Sequence, residues 1–315
     1  EFIEDTELGR ISTDLVGEVQ EDINSRKEWE DQYKSGLELL GMNYEDRAEP
    51  FEGASGIVHP LLAESVTQFQ AQAYRELLPA GGPVKTAIIG QETPEVTAQA
   101  ERVKNFMNYQ ITYEMEEYDP ELDQMLFYLP IVGSSFKKVY FDPSLQRAVS
   151  KFVHAEDLIV PYNATDLKTS TRICHVIRMD SNEIRKLQLS GFYKDIELPT
   201  SDSDGANYDE VRETIKEIEG IHSESSYNEE LTLYEIHTDL DLPGFEDQNQ
   251  MGENTGLKMP YIVTIVEKSG EVLSIKRNFN EADPLRSKIP YFVHYKFLPG
   301  LGFYGFGLTH MIGGL

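Results

Sequence analysis

The sequence holds a single cysteine, Cys174, so no disulfide can form within the chain. Its apolar surroundings, Arg172-Ile173-Cys174-His175-Val176, predict a buried thiol kept reduced, as in a protein made in the cytosol. Positive charge is scarce: 28 Lys and Arg face 55 Asp and Glu, for a formal charge of −27. Such a surface repels phosphate, which excludes broad adsorption to DNA, RNA or anionic lipid. No long apolar run exists. The strongest, residues 125–133, contains Pro130 and is about half of what a bilayer span needs. Internal repeats and low-complexity tracts are also missing, which sets aside solenoids and linker-dominated proteins. No basic and apolar leader is visible. Because Glu1 stands first and Gly313-Gly314-Leu315 closes an apolar, glycine-spaced run, the chain reads as an internal stretch of a longer polypeptide.

What is present points to an α+β fold, an N-terminal helical portion packed with a mainly antiparallel β domain. Apolar content of 40% is ample for one large or two smaller cores. Leu15, Val19, Ile23, Trp29, Tyr33, Leu37 and Leu40 recur at helical spacing and predict one long amphipathic helix, with Thr13 or Asp14 as cap and Gly41 as stop. A small-residue loop at 51–56 leads to Pro60 and a second helix lined by Leu62, Val66, Phe69, Ala73 and Leu77. Thr93-Pro94-Glu95 opens a third, with Val96, Ala100, Val103 and Met107 as its apolar stripe, and Asp119-Pro120 a fourth. The period then shortens to two. Strands are expected at 136–141, 148–154, 158–160 and 173–179, and a short helix capped by Ser181 follows. Residues 201–256 carry sixteen acidic and two basic side chains, the composition of a solvated excursion around one helix (208–218) and one strand (231–240). Strands at 261–267 and 272–277 flank Lys268-Ser269-Gly270, a hairpin signal, and 291–298 adds another. The division expected is 1–130 mainly helical, 131–200 mixed, 201–256 acidic, and 257–315 an antiparallel β unit.

Candidate chemistry is thin. Glu235, His237, Asp239 and Asp241 alternate along one strand and would share a face, as a metal site needs. Tyr234, Ile236, Leu240 and Leu242 fill the other face, so the polar set equally suits the solvent side of a half-buried strand, and no metal is assigned. The seven histidines include no pair at helical spacing and no nucleophile motif, so no catalytic residue and no cofactor is assigned either. Glycines 300, 302, 305 and 307 suggest a phosphate cradle, but no Lys-Ser/Thr follows and Phe303, Tyr304 and Phe306 would crowd a nucleotide. A tightly turning, packed connector over Gly302, Phe303, Tyr304, Gly305, Phe306 and Gly307 is the better reading. Gln68, Gln72 and Arg75 set polar groups beside an apolar helical stripe, as a subunit contact would use. Lys137-Lys138 is an adjacent basic pair among the strands, too little for DNA binding.

Four strings are more specific. His59-Pro60-Leu61-Leu62-Ala63-Glu64-Ser65-Val66-Thr67-Gln68-Phe69-Gln70-Ala71-Gln72-Ala73 and Leu129-Pro130-Ile131-Val132-Gly133-Ser134-Ser135-Phe136-Lys137-Lys138-Val139-Tyr140-Phe141-Asp142-Pro143 are two of them. Asp239-Leu240-Asp241-Leu242-Pro243-Gly244-Phe245-Glu246-Asp247 and Gly302-Phe303-Tyr304-Gly305-Phe306-Gly307-Leu308 are the others. Together they resemble portal proteins, the head-to-tail connectors of short-tailed bacteriophages of the P22-like type, over residues 51–315. The resemblance implies a structural subunit of a ring, usually a dodecamer, at one capsid vertex of the virion, assembled in the host cytoplasm. It implies as partners the major capsid protein, scaffold, terminase and tail adaptor proteins, with double-stranded DNA passing through without sequence-specific binding and no membrane. It also implies that these residues form the outward-facing wing, that 302–307 connects to a stem helix, and that ATP hydrolysis belongs to a separate motor. Two rival readings are a tail-associated or host-binding module and a carboxylate-based metal enzyme using Glu235, His237 and Asp239.

Overall fold

The apolar residues that open the chain form two helices, not one, in a computed structural model of the protein. The structure describes residues 3–38, 40, 60–143, 145–199, 211, 214, 215, 218, 230–248, 251–300 and 302–312. Gly41, the loop at 51–56 and most of the helix expected at 208–218 lie outside them. The helices are α1 (Asp5–Ser25), α2 (Lys27–Glu38), α3 (Leu61–Leu77), α4 (Pro94–Tyr109) with a π-turn at Gln110–Glu114, α5 (Tyr118–Val132), α6 (Ser181–Leu189) and α7 (Leu308–Ile312). The strands are β1 (Ser134–Asp142), β2 (Arg147–Val153), β3 (Leu158–Ile159), β4 (Arg172–Asp180), β5 (Glu230–Leu240), β6 (Met259–Val266), β7 (Val272–Arg277) and β8 (Phe292–Lys296). The fold is α+β, and all strand pairs are antiparallel among the described residues.

Helix α1 starts at Asp5, well before Thr13, and Arg26 interrupts the helical run. The Arg26 guanidinium is buried and donates to the carbonyl oxygens of Ala155 (3.3 Å), Leu158 (2.9 Å) and Glu156, while its Nε donates to Glu30 Oε1 at 2.8 Å. One planar fork of five donors thus satisfies three carbonyls of an irregular segment, which fixes the kink.

The contacts gather the chain into two compact units that interleave along the sequence: residues 1–34 with 155–290, and residues 35–154 with 291–315. In the first, a five-stranded sheet of order β3-β4-β5-β6-β7 carries side chains that alternate between two covered faces. Ile11, Leu15 and Val19 of α1 pack on Cys174, Val176, Tyr234, Ile236, Val263 and Ile265. The other face meets Ile184 of α6 and Tyr193 through Leu231, Leu233, Val266 and Leu273. Asp180, not Ser181, caps α6, accepting from Asn182 N–H at 2.8 Å. Arg172 on β4 holds Asp22 of α1 through Nε at 2.9 Å and its second nitrogen at 2.8 Å, locking helix to sheet.

In the second unit, β1 is the centre of a three-stranded sheet of order β2-β1-β8. The strand near 291–298 therefore pairs with β1, about 160 residues upstream, and not with the β6–β7 hairpin beside it in sequence. Leu122, Met125 and Leu126 of α5 pack on Phe69, Ala73 and Tyr74 of α3 and on Phe152 of β2. Gln70 Nε2 donates to Asp123 at 2.8 Å across the same helix pair.

Candidate functional site

Helix α5 ends on Pro130-Ile131-Val132-Gly133, and the run from Gly302 to Gly307 closes against that end. Gly133 terminates the helix in the left-handed region (φ 85°), which glycine adopts without steric cost. A Cβ there would lie 2.4 Å from Gly305 O and Gly307 N. The reverse also holds: a Cβ on Gly305 would meet Gly133 O at 2.4 Å, and one on Gly307 would meet Ile131 O at 2.2 Å. Two backbones touch here without side chains between them. Phe297 N–H donates to Gly133 O (3.0 Å), Leu298 and Phe306 exchange backbone bonds (3.2 and 3.0 Å), and Thr309 Oγ1 donates to Ile131 O at 2.8 Å.

The aromatic residues of the run fill the space beside this contact. Phe303 stacks on Phe136 of β1 at 5.9 Å and on His294 of β8 at 4.7 Å. Ser134 Oγ accepts from Gly305 N–H at 2.7 Å and lies 3.0 Å from His294 Nε2, so its own proton is free to go to that nitrogen. Burial, helped by the Lys296 charge, holds His294 down at about 3, so the imidazole is neutral at pH 7. Within the run Phe303 is buried, and the N–H groups of Gly305 and Gly307 donate to Ser134 Oγ and His310 Nδ1.

Gln68, Gln72 and Arg75 form an exposed row on α3. Helix α4 departs further from expectation. Its stripe of Val96, Ala100, Val103 and Met107 would ordinarily face a core, yet α4 buries no residue. Phe106, Tyr109 and Tyr113 are also exposed, the two tyrosines stacked at 6.0 Å across the π-turn. Asn108 is its anchor, accepting from Val84 N–H at 2.9 Å and donating to Val84 O at 3.2 Å. The loop 79–92 and α4 enclose an open groove of about 880 Å³ that includes Lys85 and Lys104.

Of the polar residues along β5, Glu235 and His237 are not on a solvent face. Glu235 and His237 share the side of Leu231 and Leu233, and His237 is only 2% exposed, whereas Asp239 is open to solvent. His237 Nε2 lies 2.9 Å from Glu235 Oε1, and His175 Nδ1 on β4 lies 3.9 Å from the same oxygen. The alternation is as expected; the sheet is covered on both faces, so the polar face is interior at Glu235 and His237 and reaches solvent at Asp239. Among the described residues no group of three or more His, Cys, Asp or Glu side chains is placed to hold a metal ion. Cys174 is buried, and burial pushes its thiol well up.

Sequence reasoning missed Lys137. It is 2% exposed, with Nζ 4.0 Å from the centre of the Tyr118 ring and no hydrogen bond. Burial pushes it down to about 8, against the opposing pull of Glu121 and Glu117. Its strand neighbour Lys138 lies over the rings of Tyr140 (5.5 Å) and Phe292 (5.8 Å). An adjacent lysine pair on a strand must point to opposite faces, which is the one signal that a member could be interior.

Among the described residues no helix is long and apolar enough to cross a membrane. No protein-family model matches the chain, and no curated protein matches it.

Proposed function

We propose that this chain is a structural subunit of the portal ring of a tailed bacteriophage, forming part of the conduit for genome packaging and ejection. One observation carries the reading. Three of the four portal-like strings, 59–73, 129–143 and 302–308, are far apart in sequence yet belong to one packed unit. The first lies mostly on α3, which packs on α5; the second runs from α5 into β1; the third closes on both through Gly133 and Phe136. Residues that carry a resemblance are thereby the residues that build one local architecture, as expected where geometry is the product.

Two further features support it. Unit 35–154 with 291–315 leaves a whole helix and part of a sheet with apolar faces open, more than scattered exposure accounts for, which fits a chain that works among copies of itself. The charge of −27 suits a conduit: a negative wall repels phosphate, so a duplex slides without the dissociation cost that each basic contact adds. In this reading the subunit has no chemistry of its own, resides at the portal vertex of the virion, and meets capsid protein, scaffold, terminase and tail adaptor proteins around the ring. Electron microscopy of the purified protein tests it: rings with a central hole support the assignment, and a protein that stays monomeric at micromolar concentration counts against it.

A further inference from the structure

Residues 84–89 read Val-Lys-Thr-Ala-Ile-Ile, with no proline or glycine, four β-branched side chains and one charge. That composition favours a strand, and the segment runs without helix, turn or bend, yet it joins neither sheet. Val84 is its anchor: Asn108 of α4 accepts from the Val84 N–H at 2.9 Å and donates to its carbonyl at 3.2 Å. The backbone groups of residues 85–90 make no hydrogen bond with any other described residue, and Ile89 is 99% exposed. Along an extended chain the N–H and C=O groups of successive residues point to opposite sides, so Lys85, Ala87 and Ile89 turn theirs away from α4. A sheet edge in the same unit has the complementary need. Val139 N–H donates to Tyr291 O and Phe297 N–H to Gly133 O, which bonds the odd-numbered residues of β8 to β1. Phe292, His294 and Lys296 therefore direct their backbone groups outward from the last strand of the order β2-β1-β8. Among the described residues no backbone group pairs with the outward groups of His294 and Lys296. The opposite edge is closed: on β2, Glu117 accepts from Ser150 N–H at 3.2 Å and Glu121 from Phe152 N–H at 2.6 Å.

We infer that residues 85–89 of one copy add as a strand to the outer edge of β8 in a second copy. This rests on the ring reading above and names its contact. Hydrogen bonding selects the occupant: an open edge is completed by a chain that brings unused N–H and C=O groups in extended form, and this segment brings them. Either strand direction uses the same amides, those of Lys85, Ala87 and Ile89. Either also covers Ile89 and the flanking Val293 and Tyr295, which are 44% and 37% exposed in the lone chain. A ring needs two different patches on each molecule, because a patch that pairs with itself stops at a dimer. One unit carries both here, an unpaired segment and an unpaired edge.

Proline scanning tests the contact, because proline deletes one N–H and suits an extended backbone. Ala87→Pro and Ile89→Pro should each raise the concentration at which rings form by about tenfold, the effect of one lost hydrogen bond. Thr86→Pro and Ile88→Pro, whose amides face the other way, should change it by less than about twofold. None should shift the urea midpoint of the unassembled chain, where these amides bond nothing. If all four prolines act alike, strand addition is refuted. A benzophenone label on Ile89→Cys gives an independent readout, since native Cys174 is buried. Irradiated in a mixture of isotopically heavy and light chains, it should cross-link to residues 291–298 of another copy. If rings form and the label maps elsewhere, this contact is refuted and the ring reading stands. If the chain stays monomeric with no cross-link between copies, both fall. If the label maps to 291–298 of its own chain, the segment folds back and the inference is overturned.

Discussion

Replacing Lys137 with methionine should stabilise the protein at neutral pH. The ammonium is 2% exposed, has no hydrogen-bond acceptor, and is compensated only by the Tyr118 ring at 4.0 Å and by Glu121 and Glu117 nearby. Lowering an amine from 10.5 to about 8 costs the folded state roughly 3 kcal/mol at pH 7. Methionine keeps the length and apolar stem, forfeits a cation–π contact of about 1 kcal/mol, and removes the buried charge, for a net gain of about 1–2 kcal/mol. The pH dependence separates this cause from ordinary repacking. Between about 8 and 10.5 the unfolded lysine keeps its proton while the folded one has lost it, so wild-type stability rises with pH in that window. Below 8 both states are protonated and the full cost applies. Urea unfolding of both proteins from pH 6.5 to 9.5 should therefore show Lys137→Met ahead by a constant margin up to pH 8 that shrinks above it. A variant less stable than wild type at pH 7, or a margin that does not change with pH, refutes the reasoning.

Gly305→Ala should lower the urea midpoint by the equivalent of at least about 2 kcal/mol, because its Cβ would lie 2.4 Å from the Gly133 carbonyl, while Gly302→Ala, with open space around it, should change stability by less than about 0.5 kcal/mol. Arg26→Met should cost about 3 kcal/mol in chemical denaturation, since it strands three carbonyls and the half-buried Glu30 carboxylate. His294 is held at about 3 against an unfolded value of 6.5, so the unfolded state binds the extra proton as pH falls below 6.5; stability should drop by about 1.4 kcal/mol per pH unit from there toward 3, and His294→Gln should flatten that slope.

Local elements were legible where period and punctuation agreed. Thr93-Pro94 does start α4, with Thr93 Oγ1 accepting from Val96 N–H at 3.3 Å, and Lys268-Ser269-Gly270 does turn β6 into β7. The break at Arg26 was hidden because its cause lies at 155–158, and apolar spacing on either side continues as if nothing intervened. The units could not be read along the sequence either, since each is assembled from two distant segments. Alternation on β5 was visible, but whether Glu235 and His237 face water depends on a second layer of helix that local pattern does not encode. For the connector, the glycines announced a close approach; what they approach, Gly133 and Ile131, became evident only in three dimensions. The apolar stripe of α4 was legible as a stripe, but the helix buries none of it, which spacing alone does not reveal.

The central claim is that copies of this chain surround a hole. Electron microscopy of the purified protein, with native mass spectrometry on the same sample, should show closed rings of uniform subunit number and a central opening. Particles that remain single chains across the concentrations at which such a ring would assemble contradict it.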